Sequence, residues 1–130
     1  MIFNELLDIA IKTAENSYSK YSGFRVGSAL LTSDGRIFTG CNIENASYSL
    51  TICAERTAIF KAVSEGARNF SAIAVAGSSD SDFSKPCIPC GACLQVLSEF
   101  CGKDFSIILS DGTYKLSDFL PYIFSEENMK

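Results

Sequence analysis

The chain contains no histidine. A zinc or other transition-metal site would therefore draw on thiolates and carboxylates alone. Basic residues are also scarce: 11 Lys and Arg against 15 Asp and Glu give a net charge of −4, with no basic cluster. That balance speaks against a nucleic-acid partner, whose phosphate backbone is held by many Lys and Arg contacts. No apolar run approaches the roughly 20 residues that a membrane span needs. The N-terminus lacks a basic region followed by an apolar stretch and a small-residue cleavage site, so no secretion signal is expected.

With 130 residues, 47% hydrophobic and 20% charged, the chain is expected to form one domain, residues 1–130, around one core. Six cysteines lie at positions 41, 53, 87, 90, 93 and 101. A disulfide-built secreted domain is typically shorter and richer in loops. Reduced thiols and a metal site, in a cytoplasmic protein, fit better.

The stretch from Ser84 to Gln95 carries the strongest signal. Cys90 and Cys93 form a Cys-x-x-Cys pair, preceded by Pro89 and followed by an apolar helical pattern of Leu94, Val96, Leu97 and Phe100. Two thiolates in the first turn of a helix converge on one point beyond its end. Cys53 is the leading third ligand, because it opens a second helix-like run containing Ala54, Ala58, Ile59, Ala62 and Val63. Three protein ligands leave a tetrahedral position open to water, the catalytic arrangement, whereas a structural site fills all four.

Apolar spacing predicts a helix over 2–18, a hairpin of strands over 24–32 and 36–41 turning at Asp34-Gly35, and a polar loop over 42–51. A helix capped by Thr51 is expected to run to about Glu65, where Gly66 stops it. A buried strand over 71–77 follows, then the cysteine helix to about Phe100, a strand over 105–109 and a last strand over 114–116. This order predicts a three-layer α/β/α domain around a five-stranded mixed sheet. The second and third helices cover one face as crossovers and the first covers the other. Both cysteine-bearing helix ends are expected at one edge of the sheet, by the strands' carboxyl ends.

Three thiolates and Zn²⁺ sum to −1, a poor Lewis acid without compensation. Two helix N-termini, each equivalent to roughly +0.5 charge, and Arg56 could supply it, the latter by hydrogen-bonding the sulfurs. Arg56 reads equally well as a solvated helix residue. Glu55 could take and return a proton beside the metal, or could be a first-turn acid favoured by the helix dipole.

The combination Cys53-Ala54-Glu55-Arg56 with Pro89-Cys90-Gly91-Ala92-Cys93 resembles the known signature of the zinc-dependent nucleoside and base deaminases. The all-cysteine centre, the short chain and the Asn42-to-Tyr48 loop resemble the small homotetrameric cytidine deaminases in particular. The likeness extends from the Tyr21–Ala29 segment to the Leu120-Pro121 tail. It implies one zinc per chain on Cys53, Cys90 and Cys93, Glu55 as proton shuttle, and hydrolysis of cytidine and deoxycytidine to uridine and deoxyuridine, as in pyrimidine salvage. It also implies substrate contacts from Phe24, Asn42, Glu44 and Ala54. Ala46, Tyr48 and Phe124 would lie near a neighbouring subunit's pocket, so that active sites are shared in a homotetramer. Apart from the likeness, Phe24, Tyr48 and Phe124 read as packing residues, and Asn42 and Glu44 as turn residues.

Two positions depart from the pattern. Leu94 stands where the family usually has arginine, and Cys87 adds a fourth thiol. The latter permits a non-catalytic Cys₄ zinc or iron–sulfur reading. A deaminase of a modified cytosine nucleoside, of the blasticidin type, would share the zinc machinery.

Overall fold

Alternation along the strands decides which side chains meet which helix. A computed structural model describes residues 3–130. Along β1 (Arg25–Thr32), Val26 and Leu30 enter one apolar cluster while Ala29 and Leu31 enter another. β3 (Phe70–Ser78) does the same: Ile73 and Val75 face one way, and Ala72, Ala74 and Ala76 face the other. This period of two gives a sheet buried on both faces. The first cluster is closed by α2 (Ala54–Ser64) and α3 (Gly91–Phe100), the second by α1 (Phe3–Thr13).

The sheet has five strands in the order β2-β1-β3-β4-β5, with β2 (Ile37–Cys41), β4 (Ser106–Leu109) and β5 (Gly112–Lys115) completing it. β1 runs antiparallel to both β2 and β3, so those two are parallel to each other and α2 is the crossover between them. β3 and β4 are parallel neighbours joined through α3, and β5 returns antiparallel to β4. This is the three-layer α/β/α arrangement around a mixed sheet that the sequence predicts.

Boundaries differ from expectation at the first helix, at α2 and at the last strand, the first two because long-range pairing overrides local periodicity. The first helix stops at Thr13, and a 3₁₀ turn over Ala14–Asn16 follows. Tyr18, expected inside that helix, is extended: its N–H donates to Asn42 O at 3.1 Å and its carbonyl accepts from Glu44 N at 2.8 Å. Ile2, the expected first residue, lies outside the described residues. Thr51 does not cap α2. Ile52 and Ile43 exchange two backbone hydrogen bonds of 3.0 Å, which hold residue 52 extended and shift the cap to Cys53. The last strand also begins earlier than expected, at Gly112, because Gly112 and Thr113 pair with Leu109 and Ile108. Leu116, expected to end it, instead opens α4 (Leu116–Phe119) and is fully buried, and Asp118 Oδ2 accepts from Lys115 N at 2.8 Å to start that helix.

The start of α2 is pinned to the sheet. A Cβ at Gly40 would lie 2.5 Å from both Ala54 O and Ala58 N, so α2 can seat there only on a glycine. The buried Ser28 hydroxyl donates to Ala54 O at 2.8 Å, fixing the first residue after Cys53. Because the obstructing atoms are backbone, Gly40→Ala is expected to cost about 1–3 kcal/mol. Thermal denaturation would read this as a lowered Tm; an unchanged Tm would show that α2 is not held this closely.

Candidate metal centre and cavity

Cys53 and Cys90 occupy the same position in two helices, the N-cap of α2 and of α3. An N-cap oxygen usually accepts from the first turn. Here neither side chain caps its own helix, and the two sulfurs lie 3.8 Å apart. Cys93 is three residues beyond Cys90, the spacing at which an N-cap side chain and one in the first turn meet, and their sulfurs are 3.4 Å apart. The three Sγ atoms lie within 4.8 Å of one another. Zn–S bonds of about 2.3 Å in a tetrahedron place sulfurs about 3.8 Å apart, so the cluster fits zinc in both donor type and spacing.

Cys87 is not in this cluster, nor are Cys41 and Cys101, and all six thiols are free. The closed four-thiol reading therefore fails on geometry: Cys87 precedes α3, on the far side of Pro89, and packs against the core. Burial pushes its thiol up to about 11, which keeps it protonated.

Arg56 holds in α2 the place Cys93 holds in α3. Its Nη2 donates to Cys53 Sγ at 3.3 Å, so the solvated reading is set aside, while its Nε is buried without a partner among the described groups. Without metal, a hydrogen bond from Cys93 and then those from Arg56 and Cys90 lower the Cys53 thiol to about 5 against its burial. Donating to Cys53, together with burial, raises Cys93. That pull of Cys53 toward its ionised form favours uptake of a cation. Leu94 is 5% exposed and belongs to the core under α2 and α3, so the arginine it replaces leaves no charge here.

A cavity of about 310 Å³ opens beside the thiols, and Cys53, Cys90, Glu55, Ala54, Phe24, Asn42 and Glu44 all line it. Glu55 is 4% exposed. Burial, and secondarily the charge of Cys53, pushes its carboxyl up to about 7 in the metal-free chain; a bound dication would oppose that rise. Asn42 is committed mainly to the fold. Its Oδ1 accepts from Val26 N at 2.9 Å and from Ser17 Oγ, and its Nδ2 donates to Phe24 O at 2.8 Å. One amide hydrogen remains for a ligand. Glu44 accepts from Tyr21 N at 2.9 Å, Ser22 N at 3.1 Å and the Ser22 hydroxyl, and the last of these lowers its carboxyl most. Ala54 is the first residue of α2, so its N–H has no partner within the helix.

Ala46, Tyr48 and Phe124 stand outside this cavity and are exposed. Tyr48 meets Tyr21 edge-on at 5.9 Å, and the Phe124 carbonyl accepts from Gln95 Nε2 at 2.9 Å. The sequence reading missed Ser22, Thr51 and Ile88, which also line the cavity. Ser22 reaches it through Glu44, 22 residues away, and local sequence carries no signal for such a pairing. Ile88 could have been found, because it sits directly before Pro89 in the ligand loop.

The fold and the three-thiol centre together define a zinc-dependent enzyme. The family model for the cytidine and deoxycytidylate deaminase zinc-binding region matches residues 3–109. A cytidine deaminase from Halalkalibacterium halodurans is 47% identical over 129 residues, covering 95% of each chain. One from Sporosarcina psychrophila is 45% identical over 134 residues, covering 99% of this chain and 96% of its own. The crystal structure of cytidine deaminase from Burkholderia pseudomallei superposes with a TM-score of 0.87 at 43% identity, over 95% of this chain and all of that one. A blasticidin-S deaminase from Bacillus cereus is more distant, 31% identical over 112 residues, covering 83% of this chain and 79% of its own. The chain belongs to the cytidine and deoxycytidylate deaminase zinc-binding family. No helix among the described residues is long and apolar enough to cross a membrane.

Proposed function

We propose that residues 1–130 form a single deaminase domain that hydrolyses cytidine and deoxycytidine to uridine and deoxyuridine, releasing ammonia. The observation that carries this reading is Glu55, an acid buried beside three thiols and facing a nucleoside-sized cavity. Held by Cys53, Cys90 and Cys93, zinc would supply the Lewis acidity that makes water a nucleophile near neutral pH. Glu55 accepts a proton from the attacking water and delivers it to the ring nitrogen beside the amino-bearing carbon. The water oxygen bonds to that carbon. Glu55 then carries the second water proton to the amino nitrogen, the C–N bond breaks with its electron pair on nitrogen, and ammonia departs as the carbonyl forms. A carboxyl buried away from bulk water can take a proton and return it to the substrate.

In this reading Phe24 packs on the base, Asn42 and Glu44 bind ribose hydroxyls, and the Ala54 backbone meets the base. Arg56 draws charge from Cys53. Ala46, Tyr48 and Phe124, all exposed in one chain, meet a neighbour's cavity in a homotetramer, whose mass sedimentation would read directly. Pyrimidine salvage in the cytoplasm is the setting this activity suits. Ammonia release by zinc-loaded protein should be fastest from cytidine and deoxycytidine and slow from blasticidin S. Turnover of blasticidin S alone, or of none of the three, would overturn the proposal.

A further inference from the structure

At the carboxyl end of β3, Gly77 pairs with Val26 of β1. A Cβ at Gly77 would stand 2.9 Å from Cε2 and Cζ of the Phe24 ring and 2.8 Å from Cys87 Sγ. Carbon atoms do not pack that closely, so the ring and the thiol occupy space that any side chain at 77 would need. The glycine is not there for its backbone, because Gly77 is not among the glycines with positive φ. Space is its reason. Phe24 lines two cavities of similar size, the one of about 310 Å³ holding Glu55 and Cys53 and a second lined also by Ser78, Asp80, Asp82 and Lys85.

We propose that Gly77 is a positioning residue for the substrate: its bare backbone, with Cys87 beside it, sets how deep the Phe24 ring stands, and so shapes the wall against which the base fits. This inference rests on reading the cavity as the nucleoside site. A methyl group at 77 displaces the end of a ring that is 40% exposed more readily than it displaces a central strand. Moved toward the thiols, the ring narrows the cavity; moved toward Asp80, it takes the wall away. Either displacement weakens binding of the base without touching Glu55 or the three clustered thiols of Cys53, Cys90 and Cys93.

The test is a double-mutant cycle on zinc-loaded protein, with wild type, Gly77→Ala, Phe24→Ala and the double variant assayed on cytidine. Gly77→Ala should raise KM about tenfold and leave kcat within about twofold, with little change in Tm. In the Phe24→Ala background the same substitution should leave KM nearly unchanged, because the ring it acts through is gone. An unchanged KM for Gly77→Ala, or an equal rise in both backgrounds, overturns the proposal. Crystal structures of wild type and Gly77→Ala read the ring directly. If wild type fails to turn over cytidine, the nucleoside reading falls, and a ring left in place by Gly77→Ala overturns this inference separately.

Discussion

Glu55→Gln is expected to leave a folded, zinc-loaded protein whose turnover of cytidine falls about a thousandfold, within the range general acid–base catalysis contributes. The substitution is isosteric, so the packing around a side chain 4% exposed is kept. It also removes a carboxylate whose charge burial penalises, so Tm should not fall. What is lost is the proton acceptor. The amide cannot take a proton from water, and among the described residues no second carboxylate stands beside the thiols to replace it: the other acid lining the cavity, Glu44, is tied to Ser22 and Tyr21. Steady-state rates alongside zinc content decide the matter. Near-normal rates in zinc-loaded protein would remove Glu55 from the chemistry.

The second large effect separates the thiols. Cys93→Ser should abolish stoichiometric zinc binding and activity, whereas Cys87→Ser should keep one zinc per chain. Cys93 is fully buried, and its sulfur is 3.4 Å from that of Cys90 and within 4.8 Å of that of Cys53. A serine hydroxyl there is a far weaker ligand for a borderline-soft cation. Cys87 stands outside the cluster, so its loss touches the cavity wall and not the metal. Metal analysis after dialysis reads both. Loss of zinc in Cys87→Ser would restore the four-thiol reading that the geometry rejects.

The layers were legible because short apolar runs such as 71–77 read as buried strands and the helices between parallel strands must cross over on one face. Which side chains of β1 meet which layer, Val26 and Leu30 on one side and Ala29 and Leu31 on the other, shows only in the structure, because Ala29, Leu30 and Leu31 are apolar in succession. The metal centre was legible because Cys90 and Cys93 sit at a spacing fixed by one helical turn. What local pattern could not supply came from pairing at long range. The Tyr18–Asn42 and Ile43–Ile52 bonds moved two helix boundaries. The commitment of the Asn42 amide to Val26 and Phe24 is equally invisible in the loop's sequence. So is the closeness of the Phe24 ring, just ahead of β1, to Gly77 near the end of β3.

One centre underlies the whole account: a zinc ion with three sulfur ligands and a fourth position open to water. X-ray absorption at the zinc edge of the loaded, substrate-free protein tests it most directly. Three sulfur neighbours and one oxygen-class neighbour per zinc are the predicted result. Four sulfur neighbours would contradict it, because an ion closed off by thiolates leaves Glu55 no water to act on.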